Sequence, residues 1–313
     1  MKLITFDDIE RLNLPKSSFY DLAKETLLFK DKCVLPAKTS MKWYNGEGFV
    51  NVMPTILPDK DVYGVKVVTR NPDATPTLKS DILLYKLSTS ELLSVMDADY
   101  ITAFRTGACA AVAIETLAVK NYSTIGLIGL GNICRATLLV LLDVVKTRKL
   151  TLKLFMYKNT DNGLSDLLKD YKNVVIEKYD NFEDVVRGSD VVISCVTYAG
   201  SDLAKPDWFK PGALLVPVHT RGFLNCDLEF DRIIIDDHAH VCGFKNYANF
   251  KNCHELTEVL KNPKLGRNSN EERIIAYNVG IAILDISFAS YFYNQIKETD
   301  IILNQNAKKL WVK

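Results

Sequence analysis

The chain has 313 residues, 48% of them hydrophobic and 25% charged, with 39 basic side chains against 38 acidic ones. That is enough apolar material for one or two sizeable cores, which excludes a disordered, collagen-like or disulfide-stapled miniature fold. A formal net charge of +1 offers no broad attraction for a phosphate backbone or an anionic membrane, so neither nucleic acid nor membrane is the expected partner. Seven scattered cysteines and an N-terminus, MKLITFDDIERL, without an apolar signal core lead us to expect a cytoplasmic protein. The longest charge-free stretch, 121–134, falls short of the ~20 apolar residues that span a bilayer.

In chain order, residues 21–28 place apolar positions three and four apart and predict a helix. Residues 49–53, 62–69 and 81–87 predict strands bounded by Pro, Gly and Asn, which makes the first 98 residues or so an α+β module. The run YITAFRTGACAAVAIETLAVK is alanine-rich and free of proline. It predicts a buried connecting helix capped by Asp99 or Thr102. From residue 122, apolar runs at 124–129, 150–157, 174–177, 190–196, 213–218 and 232–236 alternate with helical or turn segments. Such alternation predicts an α/β fold with a doubly wound parallel sheet, whose ligands sit beyond the carboxyl ends of the strands. Residues 271–296 form another long apolar-periodic segment that would pack back on the first module.

Residues 123–135 read as a strand, a glycine turn and an apolar helix. Gly129 would make the tight turn, Gly131 would let the backbone approach a pyrophosphate, and the helix start at Asn132 and Ile133 would hold it. Cys134 stands where the dinucleotide motif has a third Gly or Ala, and a purely structural turn is the competing reading. NAD enzymes usually end the second strand with an acid on the ribose. Here Met156-Tyr157-Lys158-Asn159-Thr160 offers none before Asp161. Lys158, with Asn159 beside it, suits a 2′-phosphate and favours NADP over NAD, unless it is simply a solvated lysine. Val196 and Thr197 end the fourth strand and His219 the fifth, so topology places them beside the cofactor. His219 is read either as a proton donor titrating near neutrality or as a structural histidine.

Several motifs converge on one family. Val52-Met53-Pro54-Thr55, Gly64-Val65-Lys66, residues 96–108 (MDADYITAFRTGA), the Gly129-Leu130-Gly131 turn, Gly266-Arg267-Asn268-Ser269 and residues 278–285 (NVGIAILD) occur in the order and spacing of the ornithine cyclodeaminase/mu-crystallin family, which the chain resembles over nearly its whole length. The resemblance implies a Rossmann domain at 119–279 facing a substrate-binding and dimerisation domain built from 1–118 and 280–313. It implies a homodimer that binds NAD(P) and exchanges hydride at the α-carbon of an amino, imino or oxo acid, and it adds Thr106 and Val279 to the cofactor side. Arg105 falls on the family's substrate-carboxylate arginine, Lys66 on the lysine near the reacting carbon, and Lys38 where another arginine is usual. Independently of the family, a 2-oxo or 2-imino acid needs cations for its carboxylate and a group that polarises C=O or C=N. The competing reading pairs Arg105 and Lys66 structurally with acids such as Asp97 or Asp81.

Two departures bear on the substrate. The acid that cyclodeaminases place before Met53-Pro54 is Asn51 here, and their aspartate after the fifth strand falls on or near Arg221. Arginine stays protonated and supplies no base, so ornithine cyclisation is disfavoured. An Arg221 facing the substrate would suit a neutral or acidic side chain; otherwise it is a surface loop residue. The expected substrate contacts are therefore Lys38, Asn51, Met53, Lys66, Arg105 and Arg221, with Lys66 and Arg105 catalytic. His238, His240, Cys242, Cys253 and His254 fit no common zinc spacing, and no metal is expected. The leading expectation is an NAD(P)-dependent oxidoreductase; the alternatives are a cyclodeaminase lyase using bound NAD and a mu-crystallin-like NADPH-dependent binding protein with little turnover.

Overall fold

The computed structural model describes residues 1–43, 46–158, 160–197 and 199–297. Its first half comprises β1 (Lys2–Ile4), α1 (Phe6–Arg11), α2 (Ser17–Leu28), β2 (Thr39–Trp43), β3 (Gly48–Leu57), β4 (Val62–Arg70), β5 (Leu78–Lys86) and β6 (Leu92–Asp97). The strands form one sheet in the order β1-β6-β5-β4-β3-β2, antiparallel except where β1 meets β6. In β4 the period-2 alternation buries Val62, Gly64, Lys66 and Val68 on one face. A lysine thus occupies a core position, and a buried cation needs a built-in counter-charge.

Helix α3 (Asp99–Leu117) is almost entirely buried and joins the two halves. Its N-cap is Ala98, not Asp99 or Thr102. The Asp99 carboxylate instead accepts the Ser80 N–H at 2.7 Å and Oγ at 3.0 Å, tying the helix to β5. Next come β7 (Thr124–Ile128), α4 (Asn132–Val144), β8 (Leu150–Phe155), α5 (Leu164–Leu167), β9 (Val174–Tyr179), α6 (Phe182–Val186) and β10 (Val191–Ser194). They are followed by β11 (Leu214–Pro217), β12 (Arg232–Ile235), α7 (His238–Val241), β13 (Cys253–Glu255), α8 (Leu256–Lys261), β14 (Ile274–Tyr277) and α9 (Ala282–Gln295). The second sheet is parallel throughout, in the order β13-β12-β14-β11-β10-β7-β8-β9. This is a Rossmann-type doubly wound sheet, and its strand order reverses between β7 and β10, where such folds bind ligands.

The apolar stretch 271–296 is two elements rather than one. Ile274–Tyr277 is a short, fully buried run that inserts between β11 and β12. The chain then turns at Gly280 (φ +90) before entering α9. A fully buried strand carries no period-2 signal, so periodicity alone does not separate it from the helix that follows. Helix α9 leaves the parallel sheet and lies on β3 and β4 of the first sheet, with α2 and α3 alongside. Phe19 of α2, Tyr100 and Phe104 of α3 and Phe288 and Phe292 of α9 meet edge-on or tilted, with ring centroids between 4.4 and 6.4 Å apart. The aromatic run 288–293 therefore contributes Phe288 and Phe292 to the core. Helix α3 crosses α4 at Gly107, where a Cβ would stand 2.6 Å from the Thr137 nitrogen. Among the described residues no helix is long and apolar enough to cross a membrane.

Candidate active site

Strand register explains how distant residues meet. Met53 pairs directly with Lys66, and Thr39 with Val52, so Lys38, one residue before β2, falls in the same cross-strand row as Met53 and Lys66. The next row holds Ser40, Asn51 and Val68. Helix α9 covers this face and delivers Asp285, which is fully buried. Lys66 Nζ donates to Asp285 Oδ1 at 2.7 Å, and Arg105 Nε stands 2.8 Å from the same oxygen as an ion pair without hydrogen-bond alignment. Asp97 and Asp81, the acids suggested by sequence proximity, are not the partners; Asp97 accepts the Asp99 N–H instead.

Electrostatics in this cluster follow from burial. Lys66 is 1% exposed. Desolvation pulls its pKa down to about 7, Arg105 and Lys38 push the same way, and Asp285 opposes them. Lys38 is likewise lowered by burial, with Asp236 the foremost charge holding its proton on. The cluster abuts the carboxyl ends of the parallel strands. Gly280, just past β14, donates its N–H to Asp236 Oδ2 at 2.6 Å, and a Cβ on Gly280 would lie 2.4 Å from an Arg105 guanidinium nitrogen. Asn51 Oδ1 is buried without a hydrogen-bond partner, an acceptor left for a donor from outside the chain.

The glycine turn has the features a pyrophosphate needs. Gly129 has φ +87 and packs 2.8 Å, measured to an ideal Cβ, from the Cys195 and Val196 backbone, so its identity has a structural cause. Gly131 has ordinary backbone angles, and its Cβ direction is open space. Nothing among the described residues requires glycine there, whereas a close ligand would. Asn132 is exposed and Ile133 half-buried at the start of α4, which has no side-chain cap, leaving its first N–H groups and dipole for an anion. Arg135 spans from Leu130 O (3.2 Å) to Thr160 O (2.9 Å) and Asn162 O (2.7 Å), fixing this turn to the loop after β8.

On that loop Lys158 is exposed in a left-handed turn (φ +52), its ammonium 5.1 Å from the Tyr157 ring centre. Asn159 lies outside the described residues. Val196 is half-buried and Thr197 exposed just past β10, across from the Gly129 turn. Thr106 follows Arg105 on α3 but is buried, its hydroxyl spent on Thr102 O at 2.7 Å. Val279 packs on the core beside Gly280. His219 Nε2 contacts Ser194 Oγ at 2.7 Å, and burial pushes its pKa down to about 4. The imidazole is therefore neutral at physiological pH, which favours the structural reading of His219 over a donor titrating near neutrality.

Other candidates fall away from this cluster. Arg221 is exposed on the loop beyond β11, and no contact among the described residues draws it into the cluster. His238 bonds the Tyr247 hydroxyl and His240 bonds Asp237, each at 2.7 Å. No group of three or more His, Cys, Asp or Glu among the described residues is placed to hold a metal. A cavity of about 1010 Å³ opens at the opposite, amino ends of the strands. Of its charges, Lys210 is engaged by Asp190 at 2.6 Å, Arg148 by Lys120 O at 3.0 Å, and Glu115 by the Tyr122 hydroxyl at 2.6 Å.

A doubly wound parallel sheet with a glycine turn between its first strand and helix, faced by the buried cations Lys66 of the first sheet and Arg105 of α3, is a dinucleotide-fold architecture. Residues 20–300 match the ornithine cyclodeaminase/mu-crystallin family. The chain belongs to that family and is an oxidoreductase of it. A Delta(1)-pyrroline-2-carboxylate reductase of Bacillus cereus is 22% identical over 292 residues, covering 87% of this chain and 89% of that protein. The Thermococcus litoralis Delta(1)-pyrroline-2-carboxylate reductase, solved with NADH and L-proline, superposes with a TM-score of 0.82 at 24% identity, covering 94% of this chain and 97% of that one. An archaeal alanine dehydrogenase, solved as a dimer with bound NAD, gives 0.79 at 23% identity over 93% of this chain and 94% of that one.

Proposed function

We propose that the chain is an NAD(P)-dependent reductase or dehydrogenase acting at the α-carbon of a small imino, oxo or amino acid. The observation that carries this reading is the convergence of Lys66 and Arg105 on Asp285 of α9, with Lys38 in the same cross-strand row and the Gly280–Asp236 contact at the carboxyl ends of β12 and β14 beside them. While Lys66 holds its proton, three cations against two carboxylates leave one positive charge for a monocarboxylate. A dinucleotide held at the Gly129–Gly131 turn and the start of α4 would supply or accept the hydride, and the chain's own groups do the rest. Arg105 and Lys38 hold the carboxylate and orient the α-carbon. Lys66, with a pKa of about 7, holds a proton for the substrate nitrogen or oxygen and polarises the C=N or C=O bond. Asn51 Oδ1 accepts a hydrogen from the substrate or the cofactor.

An amide at Asn51 and an exposed arginine at 221 provide no base for a distal amine, which disfavours cyclodeamination. NADP is favoured over NAD because Asp161, the first acid after β8, is held by Lys178 at 2.7 Å while Lys158 stands free of carboxylates among the described residues. A homodimer and a cytoplasmic setting complete the reading; the dimeric archaeal relative supports the first. The test pairs cofactor titration with kinetics. NADPH should quench protein fluorescence at lower concentration than NADH, and Arg105→Ala should raise KM and lower kcat together, because a clamp that orients the reacting carbon enters the transition state. Unchanged kinetics in Arg105→Ala would remove the assignment.

A further inference from the structure

The backbone itself joins the two sheets, through α3 and through the Gly280 turn. A side chain makes a further tie. Lys30, in the short turn that follows α2 of the first module, is 9% exposed. Its ammonium reaches three acceptors across the boundary: Asp237 Oδ2 at 2.7 Å, Glu255 Oε2 at 2.6 Å and the Asp236 backbone carbonyl at 3.2 Å. An ammonium carries three protons, so this one is fully engaged. Burial by itself lowers its pKa, but the bonds to Asp237 and Glu255 outweigh burial and hold it above the ordinary lysine value.

The acceptors belong to one corner of the parallel sheet. Glu255 ends β13 opposite Ile235 of β12, and its Oε1 accepts the His238 N–H at 3.0 Å. Asp237 caps α7, its Oδ1 accepting the His240 N–H at 3.2 Å and meeting His240 Nδ1 at 2.7 Å. Asp236 lies between β12 and this cap, 1% exposed. Its Oδ2 accepts the Gly280 N–H at 2.6 Å, and a Cβ on Gly280 would lie 2.4 Å from an Arg105 guanidinium nitrogen. A continuous line of contacts therefore runs from Lys30 through Asp236 and Gly280 to Arg105. A second ion pair between the modules, Asp31 with Lys261, is exposed and stands outside this line.

We propose that Lys30 is a positioning residue for the substrate-carboxylate clamp: it fastens the segment 236–237 to the first module, and Asp236 passes that constraint to the Gly280 turn on which the Arg105 guanidinium rests. Lys30 reaches the substrate only through Arg105. This rests on the functional reading above. A guanidinium free to settle a fraction of an ångström from its place loses its grip on the carboxylate and its alignment of the α-carbon together.

The test is a double-mutant cycle of Lys30→Met and Arg105→Ala, read by steady-state kinetics with NADPH and an imino or oxo acid. In Lys30→Met, KM should rise on the order of fivefold and kcat should fall with it; loss of folded protein would lower kcat alone. In the Arg105→Ala background, Lys30→Met should change KM by less than about twofold, because the residue it acts through is gone. The NADPH dissociation constant should not move, and Lys261→Ala, which removes the exposed pair with Asp31, should leave KM as it is. Unchanged KM in Lys30→Met, an equal rise in the Arg105→Ala background, a matching loss of NADPH affinity or an equal rise in Lys261→Ala overturns the inference. If Lys30→Met does not fold, Lys30→Met with Glu255→Gln removes the cation together with one of its anions and is judged by the same outcomes. Wild-type protein that turns over no imino or oxo acid defeats the functional reading itself; turnover with additive effects defeats only the role of Lys30.

Discussion

Replacing Lys66 with methionine should abolish turnover and yet stabilise the fold, with a gain that shrinks as pH rises. Lys66 is 1% exposed, and burial, followed by Arg105, lowers its pKa from 10.5 to about 7. Because the folded value lies below the unfolded one, both states carry the proton below pH 7, and the whole cost of burying a cation is present there. Between pH 7 and 10.5 the folded chain sheds a proton that the unfolded chain keeps, so the cost fades, and above 10.5 it is gone. At about 1.4 kcal/mol per pH unit the full penalty is on the order of 5 kcal/mol, of which about 2 kcal/mol remains at pH 9. Methionine fills a similar volume, and Arg105 stays 2.8 Å from Asp285 as its counter-charge, although the carboxylate loses the one hydrogen bond it accepts among the described residues. Urea unfolding of cofactor-free wild type and Lys66→Met at pH 7 and pH 9 measures the gap, which should favour the variant and narrow by about 2 kcal/mol. A variant less stable at pH 7, or a gap that ignores pH, would refute the electrostatic account of Lys66.

The two glycines of the turn should separate fold from function. Gly129→Ala forces a side chain into φ +87 and against the Cys195 backbone, and should cost about 1–3 kcal/mol in thermal unfolding. Gly131→Ala meets no atom among the described residues, so its melting temperature should hold while NADPH affinity falls about tenfold or more, read by fluorescence titration. Equal effects on both properties in both variants would contradict the division. His219→Gln should leave the limb of the kcat/KM profile near pH 7 in place, because burial keeps the imidazole neutral well below that pH. A limb that moved with His219 would transfer the titration from Lys66 to the histidine.

Much of this was legible in the residues, for physical reasons that also mark where legibility stopped. Strands β7 to β12 announce themselves because each is a short apolar run between polar turns. Strand β14 hides because its buried run joins that of α9, and β13 because Cys253–Glu255 is short and only half-buried. Lys66 and Arg105 stand out as charges at otherwise apolar or small positions, V-Y-G-V-K-V-V and the alanine-rich α3. Their partner did not, since proximity along the sheet favoured Asp81 and Asp97. The signal was present all the same: Asp285 is the one charged residue between Arg273 and Lys297, and two buried cations require a buried anion. Asp236, directly after a strand, has no pattern that marks it out; only the third dimension shows it buried, with one oxygen on the Gly280 N–H and the other without a hydrogen-bond partner among the described residues.

The central claim is that the cation cluster and the glycine turn together run hydride exchange beside a carboxylate. The most direct measurement follows absorbance at 340 nm with NADPH and NADH against cyclic imino acids such as pyrroline-2-carboxylate, other cyclic ketimines and 2-oxo acids with amines, with ornithine as control. The account predicts cofactor oxidation that depends on an imine or ketone α to a carboxylate and disappears in Lys66→Met. Ammonia and proline formed from ornithine with no net change in NADH, or tight cofactor binding with no substrate-dependent absorbance change, would contradict it.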